Sequence, residues 1–193
     1  MRRVVFCVLL CPAVAAYADA TDRDQPIQVE AQKGSYNDLK QAGVFSGNVI
    51  VTKGTIRVTG ERLDLRKDPE GYEYAVVTAA AGQLARFRQR RDSSKPGAAE
   101  FIEGLAERIE YDGRAETVRL VKRAELIRLE NDQRRDELHG NLITYDTRST
   151  EYSVDSAAGS DGRVRAIIAP RSSPQPPGPA TPLKTTPGVE APK

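Results

Sequence analysis

Usable thiol chemistry is the first thing this chain lacks. Its 193 residues hold two cysteines, Cys7 and Cys11, and both sit in an apolar leader. Arg2-Arg3 forms a basic start, Val4 to Ala16 an apolar run, and Ala16-Tyr17-Ala18 a small-x-small site. That layout predicts an export signal, residues 1–18, cleaved after Ala18. The run falls short of the roughly 20 apolar residues that span a bilayer, and no later stretch comes near that length. Acylation of Cys11 would call for a small residue before it, where Leu10 stands. The expected mature chain then carries no disulfide, thiolate metal site or cysteine nucleophile. Packing and backbone pairing must hold it together.

Tryptophan is absent, and four Phe with seven Tyr are the only aromatics, so the core is expected to be mainly aliphatic. His139 is the single histidine. It has no second His or Cys for a metal site and no nucleophile-elbow pattern around it for a triad, which predicts a solvated turn residue. No Gly-rich phosphate loop opens a helix, and Asp64, Asp68 and Glu70 lack calcium-loop spacing. No catalytic residue, metal site or cofactor is expected, and the chain reads as a non-enzyme. One-sided charge is missing too. Taking Arg2 and Arg3 from the 29 basic residues leaves 27 against 27 acidic ones. Nucleic-acid binding normally rests on a clear basic excess, so it is not expected.

What the chain does have is alternation. In Phe45-Ser46-Gly47-Asn48-Val49-Ile50-Val51-Thr52-Lys53-Gly54-Thr55-Ile56-Arg57-Val58-Thr59-Gly60, the runs Val49–Thr52 and Ile56–Val58 flank a Lys-Gly turn. Period-two spacing of β-branched residues around a glycine predicts an antiparallel hairpin, bounded here by Gly47 and Gly60. Ile27 and Val29 alternate after Pro26, a residue suited to the start of an edge strand. Short strand pieces are expected at Val44-Phe45, Glu61–Arg66 and Tyr72–Thr78. Ala79–Arg91 is ambiguous between helix and strand. Ala106–Leu138 is helix-prone by composition, but Gly113 and Gly140 interrupt it at strand-turn spacing, so hairpins with a polar turn at 131–135 are predicted. A diffuse repeat links Gly104, Ile109 and Tyr111 to Gly140, Ile143 and Tyr145, and more loosely to Gly60, Leu63 and Leu65. Such units cannot bury an apolar face alone and must stack or close into a roll. From Pro170 the sequence turns to Pro, Ser, Thr and Gly, which predicts a disordered tail over 170–193.

Two features bear on binding. The inward set Ile27, Val29, Val49, Val51, Ile56, Val58, Leu63, Phe87, Ile109, Tyr111 and Ile143 is either core or the lining of a groove for acyl chains. In Arg86-Phe87-Arg88-Gln89-Arg90-Arg91, a strand puts Arg86, Arg88 and Arg90 on one face and Phe87 on the other. Those arginines read as a solvated outer face that discourages edge pairing, or as a phosphate-contacting rim beside the groove.

The stretch Gln25–Ala31, followed by Phe45–Ile56, resembles the LptA/OstA-like family of periplasmic lipopolysaccharide-transport proteins. The segments around Gly104–Tyr111 and Gly140–Tyr145 extend the resemblance over 25–169. It implies an all-β, open twisted β-jellyroll of antiparallel strands at 19–169, whose interior takes lipid A acyl chains. It implies head-to-tail self-assembly into a bridge between LptC at the inner membrane and LptD–LptE at the outer one. The alternatives are an LptC-like member that keeps a membrane anchor, a lipid-free periplasmic β-scaffold, and a polyanion binder acting through Arg86–Arg91.

Overall fold

Two long hairpins carry this fold, and each serves two layers at once. The computed structural model describes residues 22–91, 93, 97–149, 151–156 and 163–170. The expected export signal, and all of the expected tail but Pro170, lie outside them. A 3-10 turn at Asp22–Asp24 precedes β1 (Gln28–Glu30), β2 (Lys33–Asn37), β3 (Ala42–Lys53), β4 (Ile56–Lys67), β5 (Glu73–Thr78) and β6 (Ala85–Arg91). Then come β7 (Glu100–Ala106), β8 (Arg108–Asp112), β9 (Thr117–Glu130), β10 (Gln133–Asp146), β11 (Tyr152–Asp155) and β12 (Arg165–Ile168). Every pairing among them is antiparallel.

The long strands β3, β4, β9 and β10 split their partners along their length. The first layer runs β2–β3–β4–β5–β8–β9–β10–β11 and the second β1–β3–β4–β6–β7–β9–β10–β12. Thus β4 pairs with β6 at Ile56–Thr59 and with β5 at Arg62–Lys67. Likewise β9 pairs with β8 at Thr117–Val121 and with β7 at Glu125–Glu130. Each layer ends on one side at an N-terminal strand, β1 or β2, and on the other at a C-terminal strand, β11 or β12.

A strand passes from one layer to the other only by bending, and bulges supply the bend. One extra residue enters β3 between Ser46 and Val49, and one enters β9 opposite Gly140–Leu142. At those points Gly47 and Asn48 have φ of 83° and 49°, and Lys122 and Arg123 have φ of 62° and 48°. The glycines of the diffuse repeat mark the same corner, where backbone approaches side chains of the facing strand. A Cβ would lie 2.5 Å from Val77 at Gly60, 2.8 Å from Leu120 at Gly104 and 2.6 Å from Val154 at Gly140. The repeat is therefore three crossings of one corner, not three copies of a strand.

The all-β class and the founding hairpin follow the sequence reading, but the two-residue turn is Gly54-Thr55, with Gly54 at φ 57°, and the expected turn residue Lys53 ends β3 opposite Ile56. Its strands run further than the sequence suggests. Gly47 and Gly60 are bends inside β3 and β4 rather than their ends, so Val44-Phe45 and Glu61–Arg66 belong to the same two strands. Ala79–Arg91 resolves into a turn followed by β6. The helix-prone stretch holds strands and turns and no helix, with one turn at 113–116 and the polar turn at Asn131-Asp132, both residues left-handed at φ 51° and 60°.

Between the layers lies one apolar cluster that includes Val49, Leu63, Phe87, Ile102, Ile109, Leu120 and Ile143. Phe87 of the second layer meets Tyr145 of the first with ring centroids 6.2 Å apart. Gly104→Ala places a methyl against the Leu120 side chain at the corner, an overpacking change expected to cost about 1–3 kcal/mol. Urea unfolding of the variant at neutral pH measures that loss.

Candidate functional site

Within this two-layered interior, the sequence-predicted apolar residues do come together. Ile27, Val51, Ile56, Val58, Phe87, Ile109 and Tyr111 all line one cavity, with Ala75, Val77 and Val118 completing its apolar walls. Val49 and Leu63 are buried in the same cluster, Ile143 with them, and Val29 packs half-buried against it. Half-buried Val29, Phe45 and Leu65 extend the interior toward β1 and β2, and Leu138 and Val154 extend it toward β11 and β12. The cavity is small, about 30 Å³, which is on the order of one water molecule. The interior is thus continuous from edge to edge and nearly full.

The side opposite the corner is the open one, and polar groups tie it shut. Lys53, 7% exposed, continues the inward row of Val49 and Val51 on β3. Its ammonium donates to Glu73 Oε2 on β5, across the layers, at 2.8 Å, and to the Gln25 carbonyl at 2.8 Å. A buried ammonium without such partners would be strongly unfavourable. Gln89, inward on β6 beside Phe87, accepts a hydrogen bond from the Tyr145 hydroxyl at 3.2 Å. Its amide donates to Asp22 Oδ2 at 2.8 Å. The sequence reading placed Lys53 in the hairpin turn and passed over Gln89 because it sought apolar inward residues. The parity of their strands was the signal that places them.

Tyr111 sits at this open side. Burial, with the carboxylates of Glu73, Glu116 and Asp22 nearby, pushes its hydroxyl up to about 12.

The three predicted rim arginines lie elsewhere. Ala85, Phe87 and Gln89 face inward, so Arg86, Arg88 and Arg90 face out, away from the cavity. Arg86 pairs with Glu103 at 2.6 Å, and Arg88 shares that carboxylate while stacking 4.0 Å from the Phe101 ring. Their placement matches a charged outer strand face. By the same parity Arg91 is the inward arginine of β6, close enough to Tyr145 to act on its hydroxyl.

His139 is not solitary in space. On the outer face it joins Glu125 and Glu137, ligand atoms within 4.8 Å of one another, because β10 pairs His139 with Glu125. The Arg134 guanidinium already pairs there with Glu137 at 3.1 Å and Glu125 at 3.5 Å.

A family model described as LptA/(LptD N-terminal domain) LPS transport protein matches residues 28–151. This chain belongs to that family. The lipopolysaccharide export system protein LptA of Escherichia coli (strain K12) is 30% identical over 162 residues, covering 84% of this chain and 80% of the relative. The lipopolysaccharide export system protein LptH of Pseudomonas aeruginosa is 30% identical over 165 residues, covering 83% of this chain and 88% of the relative. This chain also matches the crystal structure of LptH, the LptA-homologous periplasmic component of the lipopolysaccharide transport device of that organism. The TM-score is 0.64 at 24% identity, covering 78% of this chain and 100% of that one. The all-β antiparallel, jellyroll-like fold is thus that of the LptA family. The matched span runs from β1 to the turn before β11, taking in both long hairpins and leaving Asp22–Ile27 outside.

Alkaline pH reads the environment of Tyr111. Its folded hydroxyl titrates above the ordinary value of 10.0, so between about pH 10 and 12 the unfolded chain releases a proton that the folded one keeps. Stability is expected to fall across that window. Tyr111→Phe is expected to flatten the fall, seen as a smaller drop in Tm between pH 9.5 and 11.5 than in the parent.

Proposed function

We propose that this LptA-family chain is a non-enzymatic lipopolysaccharide carrier of the periplasm, exported by the signal at 1–18. The observation that carries the reading is an apolar interior running between two sheet edges that have no partner among the described residues. An amphiphile with several acyl chains needs a water-shielded path, and a two-layered interior open at both ends provides one when copies are stacked. The residues assigned to acyl contact are Ile27, Val29, Val49, Val51, Ile56, Val58, Leu63, Phe87, Ile109 and Tyr111. The names of the relatives, which place LptA and LptH in lipopolysaccharide export, support the same substrate.

Stacking follows from the edges. Strands β1 and β2 at one end and β11 and β12 at the other each have one paired side, and a free strand side templates addition of a further strand. Joining unlike ends is a heterologous contact that does not close on itself, which yields a filament. Ile168, 77% exposed, and Tyr152 carry apolar surface at the C-terminal edge, and Tyr36 does so at the N-terminal one. We place the chain in a bridge of such copies, with LptC at its inner-membrane end and LptD–LptE at its outer-membrane end. The rival reading, a lipid-free scaffold polymerising through the same edges, draws on the small cavity.

A photoreactive amino acid decides between them. Placed at Phe87, it is expected to yield lipopolysaccharide adducts in cells, while the neighbouring outward position Arg86 yields none. Absence of adducts at Phe87, Ile27 and Tyr111 in exported protein would reject the carrier and favour the scaffold.

The edge contact is tested separately. Ile168→Asp puts a charge where the next copy would dock, and sedimentation velocity is expected to show at least a tenfold weaker self-association with unchanged folding. Unaltered self-association would remove the C-terminal edge from the contact.

A further inference from the structure

The segment Asp22–Ile27, which precedes the family-matched span, crosses the open side of the molecule from layer to layer. On the second layer the Asp22 carboxylate takes the Thr55 amide at 2.6 Å and the Thr55 hydroxyl at 2.8 Å, in the β3–β4 turn, besides the Gln89 amide. On the first layer Arg23 pairs with Glu116, in the β8–β9 turn, at 3.1 Å. Just after these anchors the Gln25 carbonyl sits on the Lys53 ammonium, and Ile27 turns inward to line the cavity. Polar residues thus fasten the segment on the outside, and one apolar side chain fills the space behind it.

We propose that Asp22–Ile27 is a displaceable strap over the entry port for acyl chains, and that an incoming acyl chain takes the place of Ile27. This inference rests on the carrier reading above and adds its gate. A cavity the size of one water molecule cannot hold an acyl chain, so loading requires interior volume to be released. The strap is the cheapest element to move. Among the described residues no partner strand holds Asp22–Ile27, and its bonds to Thr55 and Glu116 are exposed, while those to Gln89 and Lys53 are part-buried. The Arg23–Glu116 ion pair, exposed on its arginine side, is of a kind worth little by itself, and the other holds are single hydrogen bonds. Moving any strand of the interior would instead break a ladder of backbone hydrogen bonds. Release of the strap uncovers the gap between the β3–β4 and β8–β9 turns, behind which Val51, Ile56 and Phe87 lie.

The chain suits a test by reversible locking, since both of its own cysteines lie in the expected export signal. The side-chain oxygens of Asp22 and Thr55 meet at 2.8 Å, which makes this pair the one to replace with cysteines. In exported Asp22→Cys/Thr55→Cys protein, bridge formation is followed by the mass loss of two hydrogens. Uptake of purified lipopolysaccharide is read by photo-crosslinking at Phe87. The oxidised protein is expected to load at least tenfold more slowly than the same protein after dithiothreitol. Gly54→Ala, whose Cβ would collide with the Asp22 carboxylate, is expected to load several-fold faster than the parent while keeping its circular dichroism. Equal loading of the oxidised and reduced forms, with no gain from Gly54→Ala, would overturn the strap while leaving the carrier intact. No loading by the parent protein would overturn both.

Discussion

A strand of twelve or fourteen residues with apolar side chains along its inward face must be covered over its full length. In this protein β3, β4, β9 and β10 meet that requirement by bending, so that one half of each strand packs against the other layer. The bulges at Gly47-Asn48 and Lys122-Arg123 turn β3 and β9 through the corner. Gly60, Gly104 and Gly140 let the layers close where any larger residue would strike a neighbour. Continuity of the interior depends on this corner. Were the four strands straight, each layer would expose an apolar face to water, at roughly 25 cal/mol for every Å² of apolar surface left uncovered.

The open side has the opposite chemistry. Lys53–Glu73 and Tyr145–Gln89 bond across the layers at 2.8 and 3.2 Å where the apolar cluster ends, and Asp22 holds the Gln89 amide at 2.8 Å. Apolar packing holds the corner and polar pairing holds the mouth, and the two respond differently to a lipid. Packed side chains resist separation over their whole area, whereas each buried hydrogen bond at the mouth is lost only when its groups find water or another partner. This division of chemistry is what the proposed strap relies on, since the corner can stay packed while the opposite side is released.

The edges and the outer face share a different problem. Free strand edges invite pairing with any exposed strand, so only productive pairing can be left available. The outer face of β6 carries Arg86, Arg88 and Arg90, with Glu103 and Phe101 beneath the first two, and the outer face of β9 and β10 carries Glu125, Arg134, Glu137 and His139. These mixed charges keep the flat faces soluble. The ends keep Ile168, Tyr152 and Tyr36 exposed, the apolar surface on which the proposed head-to-tail contact rests.

Strand content, the founding hairpin, the inward row Val49, Val51, Ile56, Val58 and the family itself were legible in the residues, because period-two alternation and a turn glycine are local properties. Other features were not. The reading of Gly47 and Gly60 as strand ends failed because a bend and a stop look alike in sequence; only the partner strand, continuing past both, separates them. Arg86, Arg88 and Arg90 were correctly set opposite Phe87, yet which face looks into the interior depends on what packs against the strand. His139 looked isolated because Glu125, its neighbour in register, is fourteen residues away along the chain. Sequence by itself determined the alternation, the turns and the apolar inventory. Tertiary structure alone decided that two layers share four strands, that the interior is nearly filled, and that Asp22–Ile27 lies across its open side, because these rest on contacts between residues distant in the chain.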